Sequence, residues 1–355
     1  MLKKAAALFL VCASMAIWVG CSSTSNSYVY AAIPGAGGGE IVAYREDPNS
    51  GVLTQLAGSP IVAGPAVASI VIHPSNKFLY AANSGEGDIS RFTISSVGGL
   101  NEVTPRTTAG TAPTLLAMDS AGSFLYVGNA GSYNISVFSI AAGTGALTPV
   151  GSPLPIGMTP INMKVSPSGG VLYVTGGGNP GMIEAFSLNQ GSLTLVSGTP
   201  FQTGINPYGL AIAPGGGFLY TANTGENSIS EFTIQSNGSL VPITGSPIGE
   251  IYSTPVSLLI NKSGAYLYVA NQGSSNLSAY SIGSDGSLNG LATSPFAAAS
   301  QPSVMATDSG GKYLFVGNQS SPVIQSFSLD SGTGTLTSVT TYSVPGTPTS
   351  IATTR

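Results

Sequence analysis

Hydrophobic positions along this chain fall into short runs whose order repeats. An apolar segment (SIVIH, LLAMD, NMKVS, GLAIA, SLLIN, VMATD) leads into a Pro/Ser/Gly/Asn turn. A second segment follows (FLYAAN, FLYVGN, VLYVTG, FLYTAN, YLYVAN, YLFVGN), then a Gly-rich loop and a third segment (ISRFTI, ISVFSI, IEAFSL, ISEFTI, LSAYSI, IQSFSL). Runs this short, rich in β-branched and aromatic residues and bounded by Gly and Asn, predict antiparallel strands. The third segment alternates with period two, Ile89, Arg91 and Thr93 against Ser90, Phe92 and Ile94, as a strand with two different faces does. A weaker fourth strand is expected after each Gly-Leu or Ser-Leu turn, with LTPVGS after Ala146 as an example. Seven prolines, Pro65, Pro113, Pro160, Pro207, Pro255, Pro302 and Pro348, recur every 46 to 48 residues and are expected to open each unit. Four antiparallel strands per unit predict an all-β fold, a seven-bladed β-propeller of four-stranded antiparallel blades.

The count of strands also predicts how the ring closes. Six units are complete, but the first strand-like motif, Tyr28-Val29-Tyr30, is of the second-strand type and has no first strand before it. Pro348-Thr349-Ser350-Ile351-Ala352-Thr353-Thr354 matches the opening of the other units. The C-terminal strand is therefore expected to join the N-terminal blade and leave no free edge. Trp18 is the only tryptophan, so neither the Trp-Asp pairs of a WD40 propeller nor tryptophan docking motifs can be present. A solenoid has a similar period, but the complementary ends favour a ring.

Composition changes the picture of the surface and its partners. Only 7% of residues are charged, against about 25% in an average soluble protein, and Gly, Ser, Thr and Asn fill the polar positions. Met1 to Gly20 has the parts of a secretion signal: Lys3 and Lys4, an apolar stretch from Ala5 to Val19, then Gly20 before Cys21. Its cut at Gly20-Cys21, ahead of the polar run SSTSNS, resembles a bacterial lipoprotein signal. Residues 1–20 are then the signal peptide, 21–27 a lipidated Cys21 and its tether, and 28–355 the propeller, exported and lipid-anchored at the cell envelope, outer-membrane or periplasm-facing. Trp18 departs from the usual aliphatic residue at its place, and an ordinary signal peptide is the alternative. Removing that segment leaves 8 basic and 14 acidic groups, a balance unsuited to nucleic acid or an anionic membrane, so membrane contact is expected only through the anchor. Cys12 is discarded with the signal; the mature chain then holds one thiol and no internal disulfide. A monomer is expected.

At these repeats the chain resembles the seven-bladed lactonase propeller family, which includes 6-phosphogluconolactonase and a muconate-lactonizing enzyme, and is similar to YVTN-type surface repeats. The matching phrases are PSNKFLYAANSGEGDISRFTI, SAGSFLYVGNAGSYNISVFSI, PGGGFLYTANTGENSISEFTI and KSGAYLYVANQGSSNLSAYSI. The resemblance implies a site at the channel mouth, with His, Arg and Glu just after the blade-opening prolines. Here those slots read Ala66-Val67, Thr114-Leu115, Ile161-Asn162, Tyr208-Gly209, Val256-Ser257, Ser303-Val304 and Thr349-Ser350, without His or Arg. The single histidine, His73, aligns with Asp119, Ser166, Ala213, Asn261 and Asp308 and is expected to cap a turn on the opposite face.

Candidate chemistry therefore rests on other residues. Glu40, Glu86, Asp88 and Glu226 are expected in the Gly-rich loops between second and third strands, and Glu250 in the approach to a first strand. Converging with Asn162, Asn206 or Tyr208, they would offer oxygen ligands to a divalent cation such as calcium, which would polarise a lactone carbonyl. Alternatively Glu86 or Glu226 activates water, or these charges are simply solvated. No cofactor is required by the sequence. Lys164, the only Lys or Arg inside a first strand, stabilises an oxyanion or binds a carboxylate if it points into the channel, and otherwise snorkels to the rim. Two readings stand. One is an extracytoplasmic lactonase-like hydrolase, with a phosphosugar substrate disfavoured for want of cations. The other is a non-catalytic propeller that binds an envelope protein or glycan.

Overall fold

The computed structural model describes residues 27–35 and 38–355 and shows seven antiparallel sheets arranged as blades. Six are formed by consecutive strands, from Val67–Ile72 through Leu100–Thr108 in the first to Pro302–Thr307 through Leu336–Ser343 in the sixth. The seventh is shared. Its first strand is Ser350–Thr353, which pairs antiparallel with Ser27–Ile33, so that Val29 faces Thr353 and Ala32 faces Ser350. Ser350–Thr353 also contacts the first strands of the sixth and first blades, closing the ring of inner strands around a channel.

Packing follows from the alternation. Each of seven apolar clusters fills one gap between adjacent blades, for example Tyr80, Leu125 and Phe138 between the first and second, and Tyr173, Leu219 and Phe232 between the third and fourth. The second strand is buried on both faces, which is why it reads FLYVGN rather than as an alternating segment. Its aromatic residue also staples the ring. The hydroxyls of Tyr30, Tyr80, Tyr173, Tyr220 and Tyr268 donate to the carbonyls of Gly98, Gly145, Gly238, Gly286 and Gly334, each in the third-to-fourth-strand turn of the next blade.

Two expectations need correction. Pro65 does not open the first blade: the partner of Asn83 is Val67, whereas Pro113, Pro207, Pro255 and Pro302 occupy that position themselves. The mouth slot of that blade is therefore Ala68-Ser69, not Ala66-Val67. The fourth strand is also not one element in five of the blades. It breaks into pieces such as Leu240–Pro242 and Ile248–Gly249. At four breaks the hydroxyl of Ser59, Thr199, Ser246 or Ser294 accepts the third-strand N–H that lost its carbonyl partner. Each of these residues precedes a proline, which has no N–H to continue the ladder.

The shared blade carries an unusual carboxyl. Glu46 is only 2% exposed; one oxygen accepts from the Ser27 hydroxyl at 2.6 Å and the other has no partner among the described residues. Burial pushes its pKa up to about 7, opposed by the Ser27 hydrogen bond and assisted by the nearby Asp308 and Asp47. Between pH about 4.5 and about 7 the folded state holds a proton that the unfolded chain has released, so stability falls as pH rises through that window. A shift of this size corresponds to at most roughly 3 kcal/mol. Glu46→Gln, which keeps an acceptor for Ser27, is expected to raise the melting temperature at pH 8 and to flatten its decline above pH 5. Parallel melting curves for the two proteins across that range would contradict it.

Candidate functional site

The loops between second and third strands and the approaches to the first strands gather on one face of the ring. Backbone hydrogen bonds tie them together: Ser84 N–H to Ala66, Ala130 to Ala112, Thr224 to Asn206, Gln272 to Thr254 and Gln319 to Gln301. The five acceptor residues all take positive φ, between 48° and 58°, a conformation that aims their carbonyls at the neighbouring loop. This face is the channel mouth. His73 lies on the other face, where its Nε2 donates to the Gly122 carbonyl at 2.9 Å and its Nδ1 accepts from the Ser75 amide and hydroxyl. It caps a turn, as Asp119, Asn261 and Asp308 do in their blades.

Four of the five acidic candidates are held by a local partner. Glu86 pairs with the Arg106 guanidinium at 2.7 Å, and the same guanidinium reaches Glu102 at 2.7 Å. Asp88 accepts from the amide of Asn83, a fully buried residue that also bonds Ser90. Glu226 accepts from the Ser228 hydroxyl at 2.7 Å and lies so close over Gly204 that a Cβ there would collide with it. Glu250 is buried, with one oxygen receiving the Tyr280 hydroxyl at 2.7 Å and the Ser278 hydroxyl at 2.9 Å, and the other facing the Tyr252 amide. Glu40 begins a third strand opposite Val62. Apart from Glu86 and Asp88, which share the first blade, these carboxylates belong to different blades, and no group of three or more His, Cys, Asp or Glu side chains among the described residues is placed to hold a metal ion.

The amide candidates do come together, between the third and fourth blades. The Asn162 side chain donates to the Tyr208 carbonyl at 3.0 Å and accepts from the Met163 amide, bridging two first strands. Asn206 accepts from the Gly178 amide at 3.0 Å and fixes the Gly176–Gly178 loop against the approach to Pro207. Tyr208 is left 52% exposed beside them, and Ile251, in the next approach, is 84% exposed. The mouth thus presents aromatic, aliphatic and amide surface. The Glu86–Arg106 pair was not foreseen from the sequence, because it joins a loop to a fourth strand twenty residues later. Cys21 lies outside the described residues.

Below the mouth, the first strands enclose a channel of about 400 Å³. Lys164 lines it, two residues beyond Asn162 on Pro160–Val165 and on the same face of that strand. Its side chain keeps contact with solvent, yet protein surrounds it, and that desolvation lowers its pKa from the ordinary lysine value. A larger cavity of about 480 Å³ opens on the opposite face, where Ser166, Pro214, Gly215 and Gly216 meet, and no acidic or basic side chain lines it. The channel is therefore the chemically distinctive space.

A ring of seven four-stranded blades around a channel, with loops gathered at one mouth, defines a binding or catalytic β-propeller. More narrowly, the profile of the seven-bladed β-propeller lactonases matches residues 39–161, 157–244 and 254–353, and the chain belongs to that family. Among solved structures it is similar to a candidate 6-phosphogluconolactonase from Bacteroides fragilis, with 20% identity, 94% of this chain and 99% of that chain covered, and a TM-score of 0.80. It is also similar to the periplasmic gluconolactonase PpgL of Pseudomonas aeruginosa, with 18% identity, coverage of 93% and 99%, and a TM-score of 0.78. No curated protein sequence matches it. At these identities the structural likeness concerns the fold.

Proposed function

We propose that this lactonase-family propeller acts by binding at its mouth, as an exported envelope protein, rather than by hydrolysing a lactone. One observation carries the reading: Glu86, Asp88, Glu226 and Glu250 each give at least one oxygen to a partner that holds the local structure, and they are spread over the first, fourth and fifth blades instead of converging on one point. What remains open to a ligand is Tyr208, Ile251 and the Asn162–Asn206 corner, a surface suited to a hydroxylated or amphipathic group of an envelope glycan or protein. The export half of the proposal is supported by Met1–Gly20 and by the periplasmic location of the Pseudomonas aeruginosa relative. Palmitate labelling of the bacterial protein that persists in Cys21→Ala would sink the lipid anchor.

A second reading, lactone hydrolysis, is favoured by family membership and by Lys164 in the channel. It requires Glu226 or Glu86 to activate water through the carboxylate oxygen that Ser228 or Arg106 does not engage. A panel of five- and six-membered lactones, assayed with calcium and with a chelator, separates the two. The binding reading expects no turnover above the spontaneous rate in either condition; turnover lost on Lys164→Met would replace it with the hydrolase.

A further inference from the structure

The repeat itself makes Lys164 exceptional. It pairs with Tyr173 of the second strand, and the residues paired with the corresponding aromatic in the other blades are Val71, Ala117, Ala211, Leu259, Ala306 and Ala352. Six blades place a small or aliphatic residue where the third places an ammonium. Among the described residues the Lys164 side chain makes no hydrogen bond or ion pair, and no Asp or Glu side chain lines the channel. Arg355 is the other lining cation; its backbone is bound to Asn76, on the face away from the mouth. The lining polar groups nearest the mouth are hydroxyls and an amide: Ser69, Thr114, Asn162, Ser257 and Ser350.

Lys164 stays in contact with the water of the channel, and its charge, unbalanced by any acidic side chain lining that channel, can attract an anion even in a chain that is otherwise acidic. One ammonium balances one negative charge, and the hydroxyls around the channel can donate to the same group or to its substituents. We propose that the central channel is a binding site for a small organic monocarboxylate, with Lys164 as its counter-ion and the channel hydroxyls as its hydrogen-bond partners. The site lies below the mouth and stands on the channel alone, so it holds or fails independently of what the mouth binds.

The lysine count makes the test direct. Lys77, Lys164, Lys262 and Lys312 are the only lysines after the signal segment, and Lys262 donates to the Ser309 carbonyl outside the channel. Reductive methylation with carbon-13 formaldehyde keeps the charge and gives each lysine its own NMR signal. The Lys164 signal is assigned by its loss in Lys164→Met, a variant compatible with the aliphatic residues at this position in other blades. Titration with sodium acetate and sodium gluconate is expected to move that signal saturably, leave the other three in place and raise its pH midpoint. Calorimetry on unmodified protein should show the same binding and its loss, by tenfold or more, in Lys164→Met. A Lys164 signal that stays still in both carboxylates, an unchanged affinity in Lys164→Met, or a response to inorganic phosphate alone would each overturn the assignment. Tyr208→Ala, which alters only the mouth, is expected to leave acetate binding intact.

Discussion

A chain lacking residues 348–355 is expected to lose the closed ring, with a fall in stability on the order of 5 kcal/mol and in melting temperature of roughly 7 °C. The segment is short, but most of its contacts join the two ends of the sequence. It contributes the ladder from Val29–Thr353 to Ala32–Ser350, the Thr349 amide and hydroxyl bonds to Ala32, and the Thr354 hydroxyl that receives the Tyr28 amide. Further bonds reach sideways, from Ser350 to Ile70, Thr349 to Val67 and Thr353 to Thr307, so both neighbouring blades lose a partner. At about 1 kcal/mol net for each buried hydrogen bond, the sum exceeds that of any single side-chain substitution in the ring. The truncation also bares Ser27–Ile33, a fully buried strand, as an apolar edge prone to pairing with another chain. Thermal unfolding followed by circular dichroism, together with size-exclusion chromatography, reads both effects. An unchanged melting temperature and a monomeric elution would mean that the seventh blade does not need its C-terminal strand.

The same closure was legible in the sequence, because a missing first strand at one end and a surplus one at the other leave a single arrangement. Strand identity was legible for the same reason: FLYVGN and ISVFSI recur with enough variation to show which positions are buried. Pro65 misled because the approach to the first blade is offset by two residues, and a proline in an approach looks the same as one that opens a strand. The split fourth strands were hidden because Ser-Pro and Thr-Pro pairs read as ordinary turn residues until their hydroxyls are seen accepting ladder amides. Of the site, Lys164 could be picked out because a cation breaks an aliphatic column. The carboxylates could not be sorted from sequence. Whether Glu226 faces Ser228 or a ligand, and whether Glu250 is solvated or buried under Tyr280, depends on rotamers and loop register that the repeat does not determine.

Gly286→Ala is expected to be the most damaging single substitution at an exposed-looking turn, at about 3–5 kcal/mol. Three costs combine at this residue. Its φ of +86° disfavours any Cβ, by about 1–2 kcal/mol. The added methyl would also collide with the Phe218 ring of the preceding blade, which lies directly over the glycine. Displacing the turn then pulls the Gly286 carbonyl from the Tyr220 hydroxyl, now 2.7 Å away, and leaves a fully buried hydroxyl without a partner. Two further variants separate these costs. Gly245→Ala has a similar φ of +93° but open space around the new methyl, so it isolates backbone strain and should cost about 1–2 kcal/mol. Tyr220→Phe removes only the hydrogen bond and should cost about 1 kcal/mol, since Phe315 holds the same place in the sixth blade. Urea unfolding of the three proteins measures each loss. If Gly286→Ala proves no worse than Gly245→Ala, the aromatic contact contributes nothing and the blades are held by apolar burial alone. The staple requires the larger loss, because it makes each glycine turn part of the next interface and not just the end of its own hairpin.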